Sequence, residues 1–261
     1  MKVLYINPVG SKTNDAAMLR ELKRSAGRGT EVEVVSLRRG PWHLDYHYYE
    51  SLVLSDVVHK VKEAESAGYD AVVLGCFFDL GLQEAREVSE RIVVAGPAES
   101  AMLLACSLGH RFSIIVGRRK VIPQMMDNVV RYGLKDRLAS FRAVDMGVLD
   151  FQKDPSKTER AQTREGRKAI TLDGAEVLIL GCTAQFGFWK TLQRKLGVPV
   201  LDTLITPLKY AEYLITLRDD FGWSPSKIGS YKSPPLGEIK AWELGRQYKT
   251  SVWKGETSRR T

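Results

Sequence analysis

A nine-residue phrase occurs twice in this chain. Gly68-Tyr69-Asp70-Ala71-Val72-Val73-Leu74-Gly75-Cys76 returns as Gly174-Ala175-Glu176-Val177-Leu178-Ile179-Leu180-Gly181-Cys182. Each copy opens on glycine, carries an acid in third place, and runs through unbroken aliphatic residues to Gly-Cys. A short apolar run without alternation is the pattern of a strand buried on both faces, which implies a parallel sheet covered by helices. Open α/β sheets bind ligands outside the carboxyl ends of their strands, where both cysteines stand. Two cysteines at equivalent places in two halves can therefore face one pocket from opposite sides.

The flanking sequence repeats in the same order. In the first half, a strand over 2–7 is broken by Asn7-Pro8-Val9-Gly10-Ser11, and Thr13 or Asn14 caps a helix over 15–26. A strand over 30–37 follows, then an aromatic-rich loop from Gly40-Pro41-Trp42 to Tyr49, then an amphipathic helix over 52–67 that leads into the first phrase. That loop is dense enough in rings to wall or cover a pocket. A helix over 81–89 and a short strand over 91–95 complete the half, and Pro97 opens a helix that runs to Leu108. The second half offers a strand over 111–117, a loop with Pro123 and a helix to about Tyr132, and a strand over 138–144. A charged, exposed segment over 158–172 contains the helix before the second phrase. A short strand over 199–202 follows, and Pro207 opens a helix to Leu217. Cysteine and helix-opening proline lie 21 residues apart in one half (76 to 97) and 25 in the other (182 to 207). The expected fold is α/β: two similar flavodoxin-like lobes with parallel sheets, related by a pseudo-two-fold, with the active site in the cleft between them. Residues 1–96 with about 207–221 form the first lobe, 97–206 the second, and 222–261 a C-terminal extension.

Composition narrows the function classes. Hydrophobic residues make up 44% of the chain, enough for a sizeable core. The formal charge of +8 suggests nucleic acid, but from Lys227 onward eight Lys/Arg face three Asp/Glu, so much of the excess lies in the tail. No zinc-type Cys/His spacing, RNA-binding aromatic motif or helix-turn-helix pattern accompanies it, and no nucleic-acid partner is expected. No apolar stretch approaches the roughly eighteen residues of a membrane span, and the start does not resemble a signal peptide. Three cysteines, two of them in apolar strands, do not form a disulfide framework, so a cytoplasmic location is expected.

The thiolate is the reactive form of cysteine, and backbone N–H groups at helix starts lower the ordinary pKa of about 8.5. Each Gly-Cys is followed by a loop and a helix start, so the pair is expected to alkylate at neutral pH faster than Cys106, which lies inside an apolar helix. A thiolate and a thiol across one pocket make a two-base device: one takes a proton from carbon and the other returns one to the opposite face. A cysteine hydrolase wants a histidine base beside its thiol. None of His43, His47, His59 and His110 ends a strand, although His43 and His47 in the aromatic loop can reach Cys76. A Cys-x-x-Cys redox site and a convergent metal-ligand cluster are both missing from the sequence.

These residues resemble the aspartate/glutamate/hydantoin racemase superfamily, and most of all its hydantoin and allantoin racemase branch. The resemblance runs from Lys2 to about Leu217. It rests on Ile6-Asn7-Pro8, Gly40-Pro41, the run Gly75-Cys76-Phe77-Phe78-Asp79-Leu80-Gly81-Leu82, Glu99-Ser100-Ala101, Arg111-Phe112-Ser113-Ile114-Ile115 and Gly181-Cys182-Thr183. It implies racemisation without a cofactor, at an acidic C–H next to a carbonyl, with Cys76 and Cys182 as the acid/base pair. Asn7, the backbone near Phe77 and Gly117, and Thr183 would hold the substrate and stabilise its enolate. The substrate would be a 5-substituted hydantoin, allantoin or a related amino-acid derivative, and the protein a homo-oligomer. Phe77 and Phe78 suit an apolar substituent, and Asp79 is placed to assist a thiol or cap a helix. The chain departs from the branch where Val9-Gly10 follows Asn7-Pro8 and where Trp42-His43-Leu44 follows Gly40-Pro41, which implies a different pocket wall around Trp42. It departs again at Gly117-Arg118-Arg119, where an arginine can read an anionic substrate. A decarboxylase or cis–trans isomerase using one cysteine, and a binding protein without chemistry, are the alternatives. The extension, with Trp223, Trp242 and Trp253, lies outside the resemblance and suggests an oligomer contact or an arm over the neighbouring lobe.

Overall fold

Each half of the chain forms a four-stranded sheet, and in a computed structural model describing residues 1–253 all pairings are parallel. The first half runs β1 (Lys2–Asn7), α1 (Asp15–Ser25), β2 (Glu31–Ser36), α2 (His47–Ser51), α3 (Leu54–Ser66), β3 (Ala71–Leu74), α4 (Leu82–Val88) and β4 (Val93–Ala95). After α5 (Pro97–Leu108), the second half runs β5 (Phe112–Val116), α6 (Ile122–Arg131), β6 (Leu138–Ala143), α7 (Pro155–Asp173), β7 (Val177–Leu180), α8 (Trp189–Leu196) and β8 (Val200–Leu201). Then come α9 (Ile205–Phe221), α10 (Leu236–Ala241) and α11 (Leu244–Gln247). The strand orders, β2-β1-β3-β4 and β6-β5-β7-β8, are the same arrangement made twice.

The two phrases become β3 and β7, the strands that separate the short fourth strand from the rest of each sheet. All four residues of each are buried because both faces are covered. On one face of the first sheet, Val3, Tyr5 and Val73 meet Met18 and Leu22 of α1 and Leu208, Ala211 and Ile215 of α9. On the other, Leu4, Ile6, Val72 and Leu74 meet Val57 and Val61 of α3 and Leu82 of α4. The second sheet repeats the alternation. Ile114 and Ile179 face Ala101 and Met102 of α5, whereas Ile115, Leu178 and Leu180 face Ala161 and Ala169 of α7 and Leu192 of α8. Each such Val, Leu, Ile or Met side chain stabilises the fold by about 1.5–3 kcal/mol relative to exposure. Helix α5 thus leaves the first sheet to cover the second, and α9 leaves the second to cover the first.

Several elements differ from the sequence expectation. Pro123 lies in the first turn of α6, where its missing N–H leaves no bond unmade. Helix α9 begins two residues before Pro207. Helix α7 begins at Pro155, capped by Asp154, which accepts from Lys157 N at 2.9 Å, and it buries Thr158, Gln162 and Glu165 rather than lying fully exposed. The extension packs on the α3–α4 side of the first sheet: Lys227 Nζ donates to the carbonyls of Arg86 (2.6 Å) and Glu87 (3.1 Å) at the end of α4, and Ile239 is buried. No helix among the described residues is long and apolar enough to cross a membrane.

Candidate active site

The carboxyl ends of β1, β3, β5 and β7 open on one cavity of about 510 Å³, lined by residues of both halves, a size suited to a small organic ligand. Cys76 and Cys182 both line it. Each cysteine is placed by the glycine before it, whose N–H continues the sheet: Gly75 donates to Ile6 O at 2.7 Å and Gly181 to Ile115 O at 2.9 Å. Neither position has room for a side chain. A Cβ on Gly75 would lie 2.4 Å from the Tyr5 ring, and one on Gly181 would lie 2.7 Å from Ile114. The repeated Gly-Cys is thus a steric requirement that ends each strand at the pocket floor.

The thiols are not activated in the way the sequence suggests. No α-helix starts directly at either sulfur: α4 begins six residues after Cys76, and Cys182 is followed by a single 3-10 turn, Thr183–Gln185. Burial pushes Cys76 well above the ordinary thiol range and Cys182 up to about 12, although the N–H groups of Phe78 and Ala184 donate to the two sulfurs and pull the other way. Desolvation of the thiolate outweighs one hydrogen bond. Carboxylates add to it: Glu50 opposes ionisation of Cys76, and Asp45 that of Cys182. The free protein therefore holds two protonated sulfurs at neutral pH, where the sequence suggested a ready thiolate. Cys106 is half-buried on α5 beside the second core.

Of the other residues singled out by sequence, Asn7, Trp42, Phe77, Phe78, Gly117 and Thr183 line the cavity. Asn7 Nδ2 donates to Asp15 Oδ1 and Ser36 Oγ, both at 3.0 Å, which fixes the amide. Trp42, 64% exposed, stands at the mouth. The Thr183 hydroxyl donates to Gly75 O at 2.9 Å. Asp79 does not line the cavity. It is buried with a left-handed backbone (φ 51°), accepts from Ala98 N and Glu99 N at 2.8 Å and from Tyr132 Oη at 2.6 Å, and so caps α5. Burial pushes its carboxyl up to about 6. Asp202 does the corresponding work at the start of α9, accepting from Gly187 N and Leu204 N, and is likewise pushed up to about 6.

One wall was not legible in the sequence, and a second was legible only without its partners. The segment after β6 contributes Met146, Phe151 and Gln152, which carry no motif. The aromatic loop crosses the cleft: Glu50 accepts from Gln124 Nε2 at 2.6 Å, Lys120 Nζ lies 4.5 Å over the Tyr46 ring, and Arg118 approaches Asp45 to 3.8 Å. Asp45 also lies 3.7 Å from His43, and both line the cavity beside Arg118. Ring density was the signal for this loop, but its partners on α6 and at the end of β5 lie seventy residues away.

A model of the Asp/Glu/Hydantoin racemase family matches residues 3–209. A hydantoin racemase of Pseudomonas sp. (strain NS671) is 36% identical over 238 residues, covering 91% of this chain and 94% of that protein. Among solved structures, the allantoin racemase from Klebsiella pneumoniae superposes with a TM-score of 0.84 at 28% identity, over 90% of this chain and 94% of the other. The allantoin racemase from Pseudomonas fluorescens gives 0.83 at 29%, over 90% and 97%. The paired Gly-Cys strand ends, the shared cavity and these matches agree: the chain belongs to the Asp/Glu/Hydantoin racemase family.

Proposed function

We propose that the protein racemises a 5-substituted hydantoin or a close relative such as allantoin, with Cys76 and Cys182 as opposed acid and base. The observation that carries this reading is that both cysteines end matched strands and line the same cavity. One sulfur, as thiolate, takes the proton at C5: the C–H bond breaks, an S–H bond forms, and the electron pair passes to the neighbouring carbonyl as an enolate. The thiol opposite gives its proton to the other face, so its S–H bond breaks as the new C–H bond forms. No group is oxidised or reduced, and the two sulfurs exchange roles. Phe77 and Phe78, with Met146 and Phe151, supply an apolar wall for the C5 substituent. The N–H groups of Phe78 and Ala184 support whichever sulfur is anionic. A one-cysteine decarboxylation or cis–trans isomerisation would leave the second cavity cysteine without a task.

Polarimetry on enantiopure hydantoins with aliphatic, aromatic and ureido substituents tests the reading. Wild type is expected to discharge the rotation of at least one, and Cys76→Ser and Cys182→Ser to slow this by about 10²–10⁴-fold, the range of a lost general acid or base. Unchanged rotation across the panel would refute the assignment.

A further inference from the structure

The two cysteine loops are tied together across the cleft. Thr183, next to Cys182, donates its hydroxyl to the carbonyl of Gly75, next to Cys76, at 2.9 Å, with both groups buried and 108 residues apart in sequence. Neither end can drift easily. Gly75 is held by its own N–H on Ile6 and has no space around its Cα, and Thr183 lies in a 3-10 turn closed by Gln185 N on Cys182 O at 2.9 Å. The Tyr5 hydroxyl, kept protonated by burial, lies near Thr183 and the two cysteines. The pseudo-two-fold does not repeat the link, because Phe77 takes the place of Thr183 in the first half.

We infer that Thr183 is a positioning residue that sets the sulfur-to-sulfur spacing, through its bond to Gly75, so that the enolate is reprotonated from the face opposite to the one that lost the proton. The inference rests on the two-cysteine reading above. The hydroxyl proton lies on Gly75 O, so the side chain is not a free donor to substrate. If the spacing relaxes, the far thiol is late. The first sulfur, after its S–H has exchanged with solvent, then returns a proton to the original face.

This predicts a partition that heavy water reports. An enantiopure hydantoin that wild type racemises is incubated in deuterated water with wild type, Thr183→Ser and Thr183→Val, and deuterium at C5 is measured in the product and in the recovered starting enantiomer. Wild type and the serine variant, which keeps the bond, should place deuterium chiefly in the product. The isosteric valine variant should lose kcat in both directions by about 10²-fold, the scale of a misplaced catalytic group, with KM little changed and with deuterium enriched several-fold in the starting enantiomer. A raised KM at unchanged kcat, or a valine variant with the wild-type partition, would overturn the inference. Should wild type racemise no hydantoin, the activity reading fails, and the spacing is then tested without substrate. Bifunctional alkylators of graded length are applied to the two thiols at alkaline pH, and the length that bridges Cys76 to Cys182 best should shift in Thr183→Val but not in Thr183→Ser. An unshifted optimum would overturn the inference.

Discussion

Cys76 and Cys182 each receive one backbone N–H, from Phe78 and Ala184, yet burial and the nearby carboxylates of Glu50 and Asp45 keep both sulfurs protonated. The sign of the pH dependence follows. A group whose pKa is raised in the folded protein stays neutral through the range in which it would ordinarily ionise. On the two-cysteine reading the thiolate is therefore the scarce species at pH 7, and kcat/KM for the free protein should keep rising with pH beyond 9. Alkylation of both cysteines should follow the same curve. A plateau already reached at pH 7 would show a thiolate formed in the free protein and contradict this account of the site. The pairing of the cysteines is readable from Gly75-Cys76 and Gly181-Cys182 alone. Their protonation is not, because it depends on depth and on Glu50 and Asp45, which no spacing in the sequence connects to a cysteine.

At the level of elements, the site is held by the two helices that change sheets. Asp79 caps α5 and Asp202 caps α9 from positions just behind the cysteine loops, each a buried carboxyl pushed up to about 6. Asp79 ordinarily titrates near 3.8, so the stability linked to its protonation is fully present below that pH and is lost as the pH rises through about 6. The size of that loss is up to about 3 kcal/mol. Asp79→Asn cannot accept from both Ala98 and Glu99, and should be less stable than wild type at pH 4 by about 1–2 kcal/mol. Its decline between pH 4 and 7 should also be shallower, because one titrating group is gone. Urea unfolding at the two pH values measures both effects, and an unchanged slope would show that Asp79 does not titrate in this window. The sequence offered capping for Asp79 but could not say which helix: the capped one is α5, eighteen residues on, not α4 immediately after it.

For the whole molecule, the exchange of α5 and α9 means that one face of each sheet is only partly covered by the helix nearest it in sequence, α1 or α6, and is completed by a helix that leaves the other sheet. Leu208, Ala211 and Ile215 of α9 are fully buried against the first sheet, and Ala98, Ala101 and Met102 of α5 against the second. A fragment ending at residue 96 would keep α1 but expose the part of that face, over β3 and β4, that α9 covers. It should fail to fold, whereas the full chain should unfold in one transition by far-UV circular dichroism and tryptophan fluorescence alike. Separate midpoints for the two probes would contradict this. The doubled architecture was legible because buried strands and proline-opened helices recur at matched intervals. The cleft walls from Met146 to Gln152, and the crossing of Glu50 to Gln124, were not, because such contacts join apolar or polar residues of no distinctive pattern. On the proposed mechanism the two halves act on opposite faces of one substrate, which solvent deuterium exchange at the stereocentre, starting from each enantiomer separately, tests in Cys76→Ser and in Cys182→Ser. Each variant should exchange the proton of one enantiomer only, and the two variants should select opposite enantiomers. Equal exchange of both enantiomers by either variant, or racemisation undiminished in both variants, would contradict that mechanism.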